Sequence, residues 1–195
     1  LVPYLEAASR LPAEDAMALS QWTHREGGSL RVAVPLAPGI SNFDDFDPLR
    51  LESDVRVLPV RTGEAVPVCD LVVLPGSKTP IADIAHYRQQ GWDIDIRAHH
   101  RRGGRIIGLC GGYQMLGRSL ADPNGVEGFA GSVAGLDLLA VETNLGGDKT
   151  LQEVSGTAFG ESVPFEGYEM HIGSTVGADT VRPFARFADG RKDGA

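Results

Sequence analysis

Short apolar runs separated by polar or amphipathic segments dominate the chain from residue 30 to residue 109. Four runs are five to seven residues long and rich in aliphatic and β-branched residues, as expected for strands buried in a parallel sheet. These predicted strands are 30–36, 55–60, 70–75 and 105–109. Between the third and fourth runs the pattern becomes helical. Pro80 suits a helix start, and Ile81, Ile84 and Tyr87 repeat at helical spacing.

Two further helices are predicted, over 94–102 and 113–120, and a short one near Pro12. The C-terminal half shows strand-like runs without intervening helices, at 134–144, 150–158 and 167–174. Strands alternating with helices predict an α/β fold with an open, mostly parallel sheet and helices on both faces. The extra strands in the C-terminal half are expected to extend that sheet in a mixed or antiparallel arrangement.

The charge balance is acidic, with 18 Lys and Arg against 26 Asp and Glu and a formal net charge of −8. This balance argues against a dedicated nucleic-acid binder, because such a protein needs a basic surface to replace phosphate counterions. No apolar run approaches the roughly 20 residues that span a bilayer. The first residues do not resemble a signal peptide, so none is expected. We expect free thiols and a cytoplasmic location. Both ends are expected to be cut from a longer polypeptide.

The segment Gly108–Gly112 carries the strongest chemical signal. It sets Cys110 in a Gly-x-Cys-x-Gly pattern between a predicted strand and a predicted helix, the context of a nucleophile elbow. Glycines allow such a turn without side-chain collisions. A helix N-terminus favours the thiolate, and the N–H of Gly111 can face an oxyanion. The alternative is a structural cysteine packed at a strand end, but the glycines, strand and helix together favour a nucleophile.

Gly76 and Ser77 follow the predicted strand 70–75. Ligands of open α/β sheets bind outside the carboxyl ends of the strands, so this turn is expected to share a crevice with the turn at Cys110. The backbone N–H of Gly76 is then a second candidate donor to an oxyanion. An ordinary capped turn between a strand and a helix is the alternative.

A thiol nucleophile needs a proton acceptor, and His171 is the histidine best placed for it. Glu169, two residues away, falls on the same face of a predicted strand. A structural hydrogen-bonded pair explains this arrangement equally well. Cys69 lacks the setting of an elbow and is interpreted as structural.

The segment Leu109–Gly117 resembles the nucleophile segment of class I (triad-type) glutamine amidotransferases. The closer resemblance is to the glutaminase domain of cobyric acid synthases, carried also by segments 40–49, 74–78 and 166–173. This resemblance implies that residues 29–195 form a glutamine amidotransferase domain of flavodoxin-like fold, incomplete at its C-terminus. Residues 1–28 resemble the end of the synthetase domain and the linker that follows it.

The resemblance implies roles for individual residues. Cys110 is the nucleophile that forms a thioester with L-glutamine, and Gly111 and Gly76 supply oxyanion N–H groups. The residues implied to contact the substrate are Gln114, Gly112 and Ser77.

The catalytic base is the one role that the resemblance does not assign within the chain. The histidine of the family is expected C-terminal to Ala195, the last residue of the sequence. The resemblance places His171 in the motif that precedes this histidine, so His171 is only a weak candidate for the base. The isolated chain is therefore expected to be inactive.

The resemblance also implies partners. Ammonia is expected to pass to a synthetase domain of the same polypeptide, where ATP and Mg²⁺ drive amidation of a corrin, adenosylcobyrinic acid a,c-diamide, during cobalamin biosynthesis. The present chain lacks the Gly-x-x-x-x-Gly-Lys-[Ser/Thr] phosphate-binding motif. We expect this domain itself to bind no cofactor and no metal.

Three alternatives remain open from the sequence. The domain can belong to a related amidating ligase, either cobyrinic acid a,c-diamide synthase or a cell-wall amidating enzyme. It can also be a non-catalytic binding module of the same fold. A thiol hydrolase on a similar fold would share the elbow, but it leaves Gln114 and the other matching segments unexplained.

Overall fold

The computed structural model describes residues 27–127, 130–147, 150–160 and 162–195. The helix predicted near Pro12 lies outside these residues, as does all but the end of segment 1–28. In chain order the strands are β1 Leu30–Pro35, β2 Ile40–Ser41, β3 Val55–Val60, β4 Leu71–Leu74, β5 Gly76–Ser77, β6 Arg105–Gly108, β7 Ser119–Asp122, β8 Gly131–Ala134, β9 Val141–Asn144, β10 Thr150–Ala158, β11 Val163–His171, β12 Ser174–Gly177, β13 Ala185–Phe187 and β14 Lys192–Asp193. The α-helices are α1 Asp47–Leu51, α2 Pro80–Gln90, α3 Trp92–Arg101 and α4 Gly111–Leu116, and 3-10 helices cover Phe43–Phe46 and Ala178–Val181.

A parallel sheet of four strands, in the order β3-β1-β4-β6, forms the centre of the fold. Each strand lies within one residue of the predicted bounds, which confirms the four apolar runs as strands. Leu74, at the carboxyl end of β4, pairs with Gly108 at the carboxyl end of β6. This register sets the turn after β4 beside the turn after β6, as expected for a shared crevice.

Helices cover both faces of the parallel sheet, and the predicted fold class is confirmed. On one face α2, α3 and α4 bury a core that includes Ile84, Tyr87, Trp92 and Met115. The opposite core contains Phe46, whose 3-10 helix precedes α1. Its other buried members are Val32, Val34, Leu36, Ile40, Val57 and Val73.

Helix α2 begins at Pro80, as predicted, and ends at Gln90, with Gly91 as its C-cap. Gly91 has φ 76° and donates its N–H to the carbonyl oxygens of Arg88 and Tyr87, a conformation that glycine adopts without steric cost. Helix α3 follows at once and starts two residues before its predicted bound. The T-shaped contact between Tyr87 and Trp92, with ring centroids 5.2 Å apart, ties the two helices together.

The helix predicted over 113–120 is wrong at its C-terminal end. Helix α4 stops at Leu116, and residues 119–122 form β7. At Gly117 the chain passes close to the next strand, since a Cβ there would lie 2.7 Å from the carbonyl oxygen of Val141. Tertiary pairing of β7 with β9 therefore overrides the local helical pattern.

The C-terminal strands are present, but they do not extend the parallel sheet. They form a mixed sheet in the order β12-β9-β7-β8 and an antiparallel sheet in the order β11-β10-β13-β14. The predicted run 134–144 divides into the end of β8 and the strand β9. Within the described ranges, no helix is long and apolar enough to cross a membrane.

The core beneath α2 gives a direct stability prediction. The Ile84 side chain is fully buried, and we expect Ile84→Ala to lower the free energy of unfolding by about 2–5 kcal/mol through the cavity it leaves. Urea denaturation followed by circular dichroism measures this change. Ile94→Ala on α3 is the control, because that side chain is 64 % exposed. Equal losses in the two variants would contradict the packing described.

Candidate active site

Cys110 occupies a strained turn between β6 and α4. Its backbone has φ 48° and ψ −113°, and φ is positive although the residue is not glycine. Such conformations cost free energy and persist where the surrounding structure imposes them. The sharp turn from strand to helix that the sequence predicted is therefore present, with the nucleophile candidate at its apex.

Close backbone contacts explain the glycines around Cys110. A Cβ on Gly108 would lie 2.6 Å from the carbonyl carbon of Gly112, and one on Gly111 would lie 2.9 Å from Ser77. A Cβ on Gly112 would overlap the carbonyl oxygen of Leu74. Any side chain at these positions would push apart the elbow, α4 and the end of β4. The glycine pattern thus fixes where Cys110 sits.

The turn after β4 lies against the elbow. Strand β5, formed by Gly76 and Ser77, pairs with β2 so that Ser41 lies opposite Gly76. A Cβ placed on Gly76 would be 3.9 Å from the Cβ of Cys110. The structure therefore brings together Cys110, Gly111 and Gly76, the predicted nucleophile and the two predicted oxyanion donors.

The Ser77 hydroxyl is already engaged in the protein. It donates to Oδ2 of Asp83 at 2.6 Å and accepts from the N–H of Thr79 at 3.0 Å. Oδ1 of Asp83 accepts from the N–H of Gly39 at 2.9 Å. A contact of Ser77 with substrate would thus fall to its backbone, and the role predicted for Ser77 stays a prediction.

Gln114 lies one helical turn after the nucleophile, and its N–H donates to the carbonyl oxygen of Cys110 at 3.1 Å. Its side chain is half-buried. Gly112 is buried, and its N–H donates to the carbonyl oxygen of Leu109 at 2.7 Å. Both residues border the elbow, and their contact with substrate stays a prediction.

The electrostatic surroundings of Cys110 differ from the expectation drawn from the helix N-terminus. Partial burial raises the pKa of the Cys110 thiol, and the carboxylates of Glu127, Asp45 and Asp193 raise it further. The N–H of Gly111, which faces the sulfur, acts in the opposite direction. The net effect of burial, the three carboxylates and the Gly111 N–H is a raised pKa, which disfavours the thiolate.

Glu127 is a candidate site residue that the sequence did not reveal. Its Oε2 atom is buried and has no hydrogen-bond partner among the described residues. Burial raises the pKa of its carboxyl group, and nearby Asp122 raises it further. Asp122 also holds the loop, because its carboxylate accepts the N–H groups of Val126 and Glu127, both at 2.8 Å. Nothing in the local sequence around Glu127 signals this proximity to Cys110, which arises from tertiary folding.

His171 on β11 is paired with a carboxylate. Its Nδ1 atom lies 3.4 Å from Oε1 of Glu169, which is the pairing that the sequence suggested. Oε2 of Glu169 also accepts hydrogen bonds from Gln152 and Arg191. Glu169 therefore belongs to a polar cluster on the antiparallel sheet, and a base role for His171 at Cys110 stays a prediction.

The other histidines with described contacts also have partners other than Cys110. His99 contacts Cys69 and Arg105, and His86 contacts Thr62. Within the described residues no hydrogen bond links a histidine to Cys110. The family histidine expected beyond Ala195 lies outside the described residues, and that expectation stays a prediction as well.

The buried setting of Cys69 agrees with its structural interpretation. Both cysteines are free, but only Cys110 is exposed. Burial raises the pKa of the Cys69 thiol. Among the described residues, no group of three or more His, Cys, Asp or Glu side chains could hold a metal ion.

The pKa of Cys110 predicts how its reactivity depends on pH. Alkylation by iodoacetamide needs the thiolate, so its rate should still be rising above the pKa of an ordinary cysteine. Glu127→Gln removes a negative charge that disfavours the thiolate, and the midpoint should move to lower pH. Mass spectrometry of the Cys110 peptide measures the rates. Glu153→Gln on β10 is the matched control, and an equal shift in that variant would contradict a specific influence of Glu127.

Comparisons with known proteins agree with this geometry. The model of the CobB/CobQ-like glutamine amidotransferase domain family matches residues 31–195. The chain is 56 % identical over 196 residues to a cobyric acid synthase of Methylocella silvestris, covering 100 % of this chain and 41 % of that protein. A cobyric acid synthase of Novosphingobium aromaticivorans is 57 % identical, with 100 % and 40 % covered. The chain therefore spans about two fifths of the length of these relatives.

A solved structure supports the fold alone. A chain in the structure of PurLQS from Thermotoga maritima superposes with a TM-score of 0.62 at 17 % identity. The match covers 86 % of this chain and 78 % of that one. The elbow lies within the segment that the family model matches, as do the turn at Gly76 and, except for Leu30 of β1, all four sheets. The chain belongs to the family of CobB/CobQ-like glutamine amidotransferase domains.

Proposed function

We propose that this chain is the glutaminase domain of a cobyric acid synthase and releases ammonia from L-glutamine. The observation that carries the proposal is the elbow, which holds Cys110 at positive φ next to Gly76. The family match and the relatives named cobyric acid synthase support it.

The proposed reaction begins when the Cys110 sulfur, as thiolate, attacks the side-chain amide carbon of glutamine. The carbonyl oxygen becomes an oxyanion, which the N–H groups of Gly111 and Gly76 stabilise. The proton that the thiol gives up is returned to the amide nitrogen, and the C–N bond breaks to release ammonia. A γ-glutamyl thioester remains on Cys110, and water hydrolyses it to glutamate and free thiol.

The acidic surroundings of the elbow fit a substrate with an ammonium group. Glu127, Asp45 and Asp193 all act on the Cys110 thiol through their negative charges. The α-ammonium of a free amino acid bound at the elbow would be attracted by these negative charges. A peptide substrate with a neutral backbone nitrogen would lack this attraction. We therefore favour free glutamine, held also by Gln114 and Gly112.

The fate of the ammonia is the part of the proposal that concerns the whole protein. The relatives are more than twice as long as this chain, which leaves room for a synthetase domain in the same polypeptide. There, ATP and Mg²⁺ would activate corrin carboxylates of adenosylcobyrinic acid a,c-diamide for amidation in cobalamin biosynthesis. The free thiols of Cys69 and Cys110 are compatible with a cytoplasmic enzyme.

A non-catalytic binding module is the second candidate. It is favoured by the raised pKa of Cys110 and by the absence of a histidine bonded to that thiol within the described residues. A binding module has no need for a cysteine held in a strained turn between close-packed glycines, which counts against this candidate. The two candidates differ in whether Cys110 is needed for amidation.

The chain of 195 residues should be a poor glutaminase by itself. Its described residues place no histidine in hydrogen-bond contact with Cys110, and a general base contributes about 10²–10⁴-fold to such a reaction. Release of glutamate by the isolated chain should be at least about 100-fold slower than by the full-length protein. A coupled glutamate dehydrogenase assay measures both rates. Similar rates would mean that a base within this chain suffices, and His171→Ala would then identify or exclude His171.

Cys110→Ser in the full-length protein separates the two candidate functions. We expect glutamine-dependent amidation of the corrin substrate to be abolished, whereas amidation supplied with ammonium chloride should persist because the synthetase domain is intact. Chromatography of the corrin products measures both activities. Cys69→Ser is the matched control and should keep both, since Cys69 is remote from the elbow in sequence and buried. Normal glutamine-dependent amidation by Cys110→Ser would refute the proposed function.

A further inference from the structure

Asp83 is a buried carboxyl group in a helix that otherwise buries apolar side chains. It lies in the first turn of α2, is 2 % exposed, and shares its buried face with Pro80, Ile84 and Tyr87. Burial raises the pKa of this carboxyl group, against the hydrogen bonds from Ser77 and Gly39 that lower it. A buried carboxyl costs folding free energy unless its oxygens are bonded. Two hydrogen bonds offset that cost here, from the Ser77 hydroxyl and from the N–H of Gly39.

Each oxygen of Asp83 holds a different loop. Oδ2 accepts from the Ser77 hydroxyl at 2.6 Å, in the turn after β4. Oδ1 accepts from the N–H of Gly39 at 2.9 Å, in the turn between β1 and β2. The helix start is tied in as well, because the N–H of Asp83 donates to the carbonyl oxygen of Thr79 at 2.9 Å. One carboxylate thus bridges two loops and the helix that carries it.

The two loops bonded to Asp83 also bond to each other. The N–H of Lys78 donates to the carbonyl oxygen of Gly39 at 2.8 Å, and β2 pairs with β5. The fit is close at Gly39, where a Cβ would lie 2.7 Å from Oδ2 of Asp83. The atom nearest to that Cβ would be the Thr79 hydroxyl oxygen, so the loop lies close to both Thr79 and Asp83.

The same loops form one wall of the site. Gly76 precedes the residue that Asp83 holds, and its Cβ position faces Cys110 at 3.9 Å. Ser77 also packs on Gly111, whose Cβ would lie 2.9 Å from the Ser77 backbone nitrogen. The two N–H groups assigned to the oxyanion therefore lie next to Ser77, which Asp83 fixes in place.

We propose that Asp83 is a positioning residue, which rests on the proposed function and sets the Gly76 N–H relative to Cys110 for oxyanion stabilisation. Asp83 does not touch the substrate and acts through Ser77 and Gly39. Displacing a preorganised donor by about 1 Å lowers a rate by about 100-fold. The effect belongs to the transition state, so it should change kcat and leave KM nearly unaltered.

The test measures glutamine hydrolysis by the full-length protein carrying Asp83→Asn, Ser77→Ala or both substitutions. We expect Asp83→Asn to lower kcat by about 10- to 100-fold, with KM within about threefold of wild type. Ser77→Ala should act in the same direction. The double variant should be no slower than the slower single variant, because both changes remove one linkage. Iodoacetamide titration of Cys110 counts the folded, accessible thiols and normalises each rate.

Asp95→Asn is the matched control. Asp95 lies on α3, and its carboxylate accepts the N–H of Val66 at 3.0 Å. Like Asp83, it therefore bonds a loop from a helix, but that loop lies outside the site. Its kcat should stay within about twofold of wild type. Wild-type kcat in Asp83→Asn, or an equal loss in Asp95→Asn, overturns the inference. If Asp83→Asn does not fold, Ser77→Ala alone decides, and an unchanged kcat overturns the inference.

Labelling with 6-diazo-5-oxo-norleucine separates this inference from the function it rests on. Wild-type protein should be labelled at Cys110, and Asp83→Asn should be labelled at least about tenfold more slowly. A wild-type protein that stays unlabelled contradicts the glutaminase function and the inference with it. A labelled wild type with equally fast labelling of Asp83→Asn contradicts the inference alone.

Discussion

The close contact between the elbow and the end of β4 is the constraint on which the site depends. Gly112 lies so near the carbonyl oxygen of Leu74 that no side chain fits, and Leu74 pairs with Gly108 across the parallel sheet. The chain can pass this point only as a tight turn, which leaves Cys110 at φ 48°. The strain at the nucleophile is thus imposed by the packing of the strand ends, and the buried cores on both faces supply the free energy that maintains it.

This constraint positions the nucleophile but does not activate it. Partial burial and the nearby carboxylates raise the pKa of the Cys110 thiol, which disfavours the thiolate. Binding of an ammonium group beside Glu127 would reduce the negative potential at the sulfur. In the proposed function, substrate binding and thiol activation are therefore linked by the same charges.

Much of the fold could be predicted because buried parallel strands leave continuous apolar runs, and the bounds of β1, β3, β4 and β6 follow those runs within a residue. The end of α4 could not, since residues 117–120 continue a helical pattern locally and only the pairing of β7 with β9 ends it. For the same reason the sequence indicated the C-terminal strands but not their division into two further sheets. The local sequence of a strand does not reveal which distant strand it pairs with.

In the candidate site, too, features with a local sequence signal could be predicted and features that depend on tertiary contacts could not. The turn at Cys110 and its proximity to Gly111 and Gly76 could be predicted, because glycine spacing after a strand is a local signal with a steric cause. The effect of Glu127 on Cys110 could not be predicted, because folding brings the two residues together. The same holds for the hydrogen bonds of Asp83 with Ser77 and Gly39. An isolated glutamate in a loop and an aspartate in the first turn of a helix are both common positions that carry no distinctive local pattern.

Trapping the covalent intermediate tests most directly whether Cys110 is the nucleophile of glutamine hydrolysis. The full-length protein is mixed with glutamine carrying ¹³C throughout its carbon skeleton, quenched in acid within milliseconds to seconds, and digested for mass spectrometry. A labelled γ-glutamyl thioester should form and decay on the Cys110 peptide during turnover, and Cys69 should stay unmodified. Glutamate release without any adduct on Cys110, or an adduct on another residue, would contradict this role of Cys110.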